Sequence, residues 1–335
     1  MRMNSSFSAI SRMGLQSLSH SLKDWMPTLG GLQHWADVYI FRDWRIQLHV
    51  HTGRHRLLDA WNFERAHGSF EECRRTLDQI RMDQGHIEEF PGTRVVILHG
   101  LIRTRRSMDV LARHLRQHGM NAYTVGYPSL QIAIGSHARH LQQIIGALEG
   151  DDPIHIVGHS MGGLVTRAYL ELGPDPRIKR IVMIGTPNQG AEKASLVQRT
   201  GLLPFVGPAA CQLVPGDGGI VHQLASNPTS LYGVEVGIIA AGGPGGRGYT
   251  NLIPCDNDGV VTVASTMLAG AADFHLVRGM HTFMPSLLTV REATERFLRH
   301  GYFRTEADRH PIESIRWVGH EGRRPVVLPA NPTLR

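Results

Sequence analysis

The segment Gly158-His159-Ser160-Met161-Gly162 sets a hydroxyl between two glycines, directly after the apolar run Ile154-His155-Ile156-Val157. A serine hydroxyl is a poor nucleophile unless a tight turn holds it exposed beside a base. A strand that runs into a glycine-flanked turn and out into a helix gives that presentation. Gly158 and Gly162, with Gly163, leave out side chains where the strand end and the helix start crowd together. Leu164 to Leu170 then reads as a helix, with Leu164, Ala168 and Leu170 on its buried side. The five letters alone match by chance in many chains; the strand before and the helix after carry the inference.

A serine used this way needs an acid and then a histidine further along the chain. After the strand-like Val234-Glu235-Val236-Gly237-Ile238-Ile239-Ala240 and a glycine-rich loop comes Asp256-Asn257-Asp258-Gly259-Val260-Val261. A carboxylate there would lie past the carboxyl end of a strand, the edge where open α/β sheets do their ligand chemistry. Asp258 is preferred because Gly259 and the valine pair follow it directly. Asp256 stays open as the alternative, since spacing does not separate the two. Phe274-His275-Leu276-Val277 reads as the last strand, followed by the loop Gly279-Met280-His281-Thr282-Phe283-Met284-Pro285. His281, on the loop, can swing toward a serine; His275, inside the strand, reads as a packed or surface residue. A fourth element is a pair of N–H groups for an oxyanion. Met161, after the nucleophile, would give one. Leu101, in His99-Gly100-Leu101 past the strand Thr93 to Leu98, would give the other. One such donor is worth about 3–4 kcal/mol in a transition state.

The set HGL (99–101), GHSMGG (158–163), GTPNQG (185–190), NDGVV (257–261) and MHTFM (280–284) resembles the α/β-hydrolase superfamily. It is most similar to bacterial lipases and carboxylesterases and to relatives of GPI-inositol deacylase. The likeness spans about 93–303. It implies Ser160, Asp258 and His281 as a catalytic triad, and Leu101 and Met161 as oxyanion donors. The family often has His where Asn188 stands, so a contact made by that His is not carried over.

Strand and helix alternate through the core. Strands are expected near 94–98, 121–125, 154–157, 179–184, 234–240 and 274–277, and helices near 105–118, 134–148, 162–172 and 287–299. Such alternation predicts an α/β fold with a mostly parallel, doubly wound sheet and helices on both faces. Residues 1–90 read as an N-terminal extension packing on the core, with a strand at 43–50 and an amphipathic helix at 70–82. Residues 91–304 read as the catalytic domain, and 305–335 as a loosely packed Pro- and Arg-rich tail. The stretch 191–231 carries no regular strand and is expected to form a small cap, with Leu202, Leu203, Phe205 and Val206 lining an acyl pocket.

A 335-residue chain with 41% hydrophobic and 19% charged residues has the make-up of a globular protein with a sizeable core. Its three cysteines, Cys73, Cys211 and Cys255, are far apart, which argues against a disulfide framework or a cysteine metal cluster and fits a reducing, cytoplasmic setting. The net charge of +6 is dispersed, with no basic–aromatic stripe, so nucleic acid is not expected as a partner. No apolar run reaches the ~18 residues of a membrane span, and no secretory signal is seen. Leu15, Leu18, Leu22, Trp25 and Met26 recur at helical spacing before Pro27. They would dock on the protein itself or give peripheral membrane contact. Gly243-Pro244-Gly245-Gly246-Arg247-Gly248 matches a dinucleotide fingerprint in letters, but no helix opens after it, and a flexible loop is expected. His114/His118 and His137/His140 are same-face helical pairs without the glutamate of a zinc protease. No cofactor and no metal are called for. The expected activity is hydrolysis of a carboxylic ester, lipid-like, through an acyl-enzyme. An acyltransferase with the same triad and a non-catalytic binding protein on the same scaffold are the alternatives.

Overall fold

The computed structural model describes residues 34–85, 87–190, 208–212, 224, 231–253, 255–318 and 324–327. The first four strands, β1 (Trp35–Phe41), β2 (Trp44–His49), β3 (His55–Leu58) and β4 (Glu64–Gly68), form an antiparallel sheet in sequence order. Helix α1 (Phe70–Asp83) opens on a capping box: Ser69 Oγ accepts from the Glu72 N–H, and the Glu72 carboxylate accepts from the Ser69 N–H. Its buried Cys73 and Leu77 close over Tyr39, Phe41, Ile46 and Leu57.

The core alternates as expected: β5 (Arg94–Leu98), α2 (Asp109–Gln117), β6 (Asn121–Val125), α3 (Ile134–Ala147), β7 (Ile154–His159), α4 (Met161–Leu170), β8 (Ile178–Ile184), β9 (Glu235–Gly242), β10 (Asp273–Arg278) and α5 (Leu288–His300). The six strands are parallel neighbours in the order β10-β9-β8-β7-β5-β6. Their apolar runs are nearly continuous because both faces of the sheet are covered. Val96, Leu98, Ile156 and Met183 pack with Ile134 and Leu141 of α3 and Leu164 of α4. Val95, Ile97, Val157 and Val182 pack on the other face with Leu111 and Leu115 of α2 and Val290 and Phe297 of α5. The chain leaves β5 toward β6 and returns to place β7 on β5's other side. That reversal opens a crevice past the carboxyl ends of β5 and β7, where sheets of this kind bind ligands. The chain therefore has a doubly wound α/β architecture.

The two sheets are joined by polar contacts. Asp37 of β1 is 1% exposed. It accepts from Arg45 Nη1 at 2.7 Å, Gln47 Nε2 at 2.8 Å and the Gly126 N–H at 2.7 Å. Its own N–H donates to the Gly126 carbonyl, and Arg45 donates to the Thr124 carbonyl, both at 2.8 Å. Thr124 and Gly126 stand at the end of the edge strand β6, so the first sheet is fastened to the outermost strand of the second.

Four expectations are corrected. The helix expected over 105–118 is a 3₁₀ turn, Arg105–Met108, followed by α2. The loop 243–248 is not slack: the N–H groups of Gly243 and Gly248 both donate to Asp256 Oδ1, at 2.7 and 3.0 Å. The start of the tail is tied down. Ile312 is buried and exchanges main-chain bonds with Gly270 and Ala271, and residues 315–318 and 324–327 pair as a short antiparallel hairpin. Finally, β1, β3 and β4 have no counterpart among the expected strands. The helix expected from the spacing of Leu15 to Met26 and most of the 191–231 stretch lie outside the described residues. Among the described residues, no helix is long and apolar enough to cross a membrane.

Candidate active site

Ser160 sits between β7 and α4 with φ 54° and ψ −122°. A left-handed φ is strained for a side chain, and such strain collects at functional turns. Here the surroundings enforce it. The Ser160 N–H donates to the Ile184 carbonyl at 2.8 Å, and its carbonyl accepts from the Gly163 N–H at 3.0 Å. A Cβ on Gly158 would lie 2.5 Å from the Gly163 nitrogen, and one on Gly162 would lie 2.7 Å from the Leu98 carbonyl oxygen. The strand–helix turn closes only with glycine at both places.

Three residues expected to do chemistry come together there. His281 Nε2 accepts from the Ser160 hydroxyl at 2.9 Å, and His281 Nδ1–H donates to Asp258 Oδ2 at 2.6 Å. Asp258 is 1% exposed and is aimed by the N–H groups of Val260 and Val261, which donate to Oδ1 at 2.9 and 2.8 Å. Asp256 is not in this line; its carboxylate points back to the Gly243–Gly248 loop. His275 packs on Phe303 with ring centres 5.8 Å apart. The 3₁₀ turn His281–Ser286 begins at the histidine itself.

Met161 directly follows the serine and opens α4, and Leu101 follows Gly100 on the loop after β5. Gly100 is pressed against the turn: a Cβ there would lie 3.0 Å from Ser160 Cβ. The next residue, Ile102, has φ 56°, and its N–H is drawn away to Ser129 Oγ at 3.1 Å. At the rim, Arg103 Nη2 donates to Thr282 Oγ1 at 2.8 Å and joins this loop to the histidine loop.

Several further residues support the site. His159 is buried beside the serine, and its Nε2–H donates to the main-chain carbonyl of His281 at 3.0 Å. His99 Nδ1–H donates to the Gly100 carbonyl at 2.8 Å. The Tyr127 hydroxyl donates to the His99 carbonyl, and the two rings stack at 4.0 Å. Burial pushes His99 down to about 4 and His159 well below the usual imidazole range. Both rings are therefore neutral, and neither opposes a positive charge forming on His281. Asn188 is a scaffold residue. It donates to the Thr266 carbonyl at 2.7 Å, and its carbonyl accepts from Arg167 at 3.1 Å. Leu202, Leu203, Phe205 and Val206, expected at an acyl pocket, lie outside the described residues. Among the described residues, no three His, Cys, Asp or Glu side chains converge to hold a metal ion.

Residues 93–203 match the family model of the α/β hydrolase fold. A triacylglycerol lipase of Pseudarthrobacter phenanthrenivorans is 28% identical over 116 residues, covering 31% of this chain and 36% of the lipase. One of Burkholderia plantarii is likewise 28% identical over 116 residues, covering 31% of this chain and 32% of the lipase. The chain thus spans about a third of the length of these curated relatives. The mature form of the Bacillus licheniformis lipase BlEst2 superposes with a TM-score of 0.49 at 18% identity, over 61% of this chain and 90% of that one. By fold the protein is an α/β hydrolase. Over about a third of its length it is similar to these triacylglycerol lipases.

Proposed function

We propose that the protein is a serine ester hydrolase that cleaves a lipid-like carboxylic ester through an acyl-enzyme. The observation that carries the reading is the unbroken line from the Ser160 hydroxyl through His281 to Asp258, at 2.9 and 2.6 Å. Ser160 Oγ attacks the ester carbonyl carbon while His281 Nε2 takes its proton. The carbonyl oxygen becomes an oxyanion and accepts from the N–H groups of Leu101 and Met161. The tetrahedral intermediate collapses, and His281 passes the proton to the leaving alkoxide. Water then repeats the sequence on the acyl-serine and releases the acid. Asp258 holds His281 with Nδ1 protonated and stabilises the imidazolium. The names of the two triacylglycerol lipases favour a fatty acyl ester over a small polar one. Leu202, Leu203, Phe205 and Val206 are assigned to the acyl chain, and residues 1–90, 91–304 and 305–335 remain the proposed division of the chain.

Ser160→Ala should lower turnover of a p-nitrophenyl ester by on the order of 10⁴–10⁶ and abolish labelling by a fluorophosphonate. A variant that turns over at near the wild-type rate sinks the proposal.

A further inference from the structure

His281 is held twice, once by its side chain and once by its main chain, and the two grips run between the same places. The ring bridges the Asp258 carboxylate and the Ser160 hydroxyl, at 2.6 and 2.9 Å. In parallel, the His281 N–H donates to the Asp258 main-chain carbonyl at 2.9 Å, and the His281 carbonyl accepts from His159 Nε2–H at 3.0 Å. His159 is the residue before the serine, at the end of β7. The geometry points to His159 as a positioning residue that ties the backbone of the histidine loop to the strand carrying the nucleophile.

The loop has reason to need such a tie. His281 follows Gly279 and Met280 on a connection, not inside a strand or an α-helix, and the next residues form only a 3₁₀ turn. The Ser160–His281 bond alone would not fix the loop, because that bond must break and re-form as the proton moves. The His159 bond takes no part in the proton transfer and stays in place throughout. His159 can keep this role because its ring is confined. It lies 5.0 Å from the His281 ring, and its Nδ1 would sit 3.2 Å from a Cβ on Gly100. A ring that donates through Nε2 leaves Nδ1 as the bare nitrogen, and Nδ1 is buried with no hydrogen-bond partner among the described residues. One neutral tautomer therefore fits the site.

The kinetic part of the test rests on the esterase reading. Two amides separate placement from bulk. In His159→Gln the amide nitrogen reaches the position of Nε2, whereas in His159→Asn it stops near Nδ1, short of the His281 carbonyl. His159→Gln should keep kcat within about threefold of wild type. His159→Asn should lose roughly 10- to 100-fold in kcat, as an ångström-scale misplacement does. Its KM should stay within about twofold, and fluorophosphonate labelling should slow by the same factor as kcat. An Asn variant as fast as the Gln variant, or a loss confined to KM, overturns the assignment. A wild-type protein that neither hydrolyses esters nor takes the label sinks the esterase reading instead. The positioning claim is then decided by ¹⁵N-histidine spectra, with the His159 signal identified by its loss in His159→Gln. A neutral Nε2–H ring throughout pH ~5–8 supports the claim, and an Nδ1–H or charged ring in that range overturns it.

Discussion

Replacing Asp37 by alanine tests how the N-terminal sheet is held. The carboxylate satisfies Arg45, Gln47 and the Gly126 N–H in a site without solvent. Arg45 is itself 4% exposed and keeps only the Thr124 carbonyl once Asp37 is gone. A buried cation stripped of its partner is destabilising by about 3–5 kcal/mol. The orphaned Gly126 N–H and Gln47 amide would each add about 1 kcal/mol or more if water did not reach them. We expect a loss of about 4 kcal/mol, a large share of the ~5–15 kcal/mol that folded domains possess. Urea unfolding followed by tryptophan fluorescence reads this locally, because Trp35 and Trp44 open β1 and β2. Asp37→Leu combined with Arg45→Met removes both charges and should recover at least half of the loss, since an apolar pair leaves no stranded ion. A single-variant loss below about 1 kcal/mol, or a double variant less stable than Asp37→Ala, would refute the reasoning.

Asp258→Ala should lower kcat by about 10³–10⁴, as loss of a triad acid does. Asp256→Ala should change kcat by less than about tenfold while lowering stability by about 1–3 kcal/mol, because it frees the Gly243 and Gly248 N–H groups. Steady-state kinetics and urea unfolding of the pair check this, and equal kcat losses would contradict the separation of roles. Burial pushes His99 and His155 down to about 4 and His137 to about 3. In the unfolded chain these rings titrate near pH ~6.5. Between those values the unfolded state binds protons that the folded state refuses, so stability falls as pH drops from about 6.5 toward about 4. Neither ring nitrogen of His137 has a hydrogen-bond partner among the described residues, and the ring lies 4.7 Å from that of Tyr127. His137→Phe should raise stability by about 1 kcal/mol at neutral pH and flatten that acid slope. Unfolding midpoints across the range measure it, and an unchanged slope counts against the assignment.

The parallel strands were legible because covering both faces of a sheet demands apolar runs, as in Val95–Leu98 and Ile181–Ile184. Strand β1 was hidden by Asp37, a charge in the middle of Trp35–Phe41 that reads as a break until its buried partners are seen. Strands β3 and β4 are short, and β4 is largely exposed, so they lack an apolar face of useful length. Ser160 and His281 followed from loop position. Asp256 and Asp258 could not be separated by spacing. What directs them is local main chain: Val260 and Val261 N–H groups take one carboxylate, and Gly243 and Gly248 N–H groups take the other. His159 gave no signal because its partner is a backbone carbonyl 122 positions away.

The turn beneath Ser160 bears on how the proposed activity could diversify. The atoms that lock it belong to Leu98, Gly158, Gly163 and Ile184, at the ends of β5, β7 and β8 and the start of α4. All of them lie outside the 191–231 stretch. The pedestal for the reactive oxygen and the segment assigned to choosing the acyl chain are thus separately heritable. On the proposed function, recombination within that segment could trial new esters while leaving the turn at Ser160 untouched.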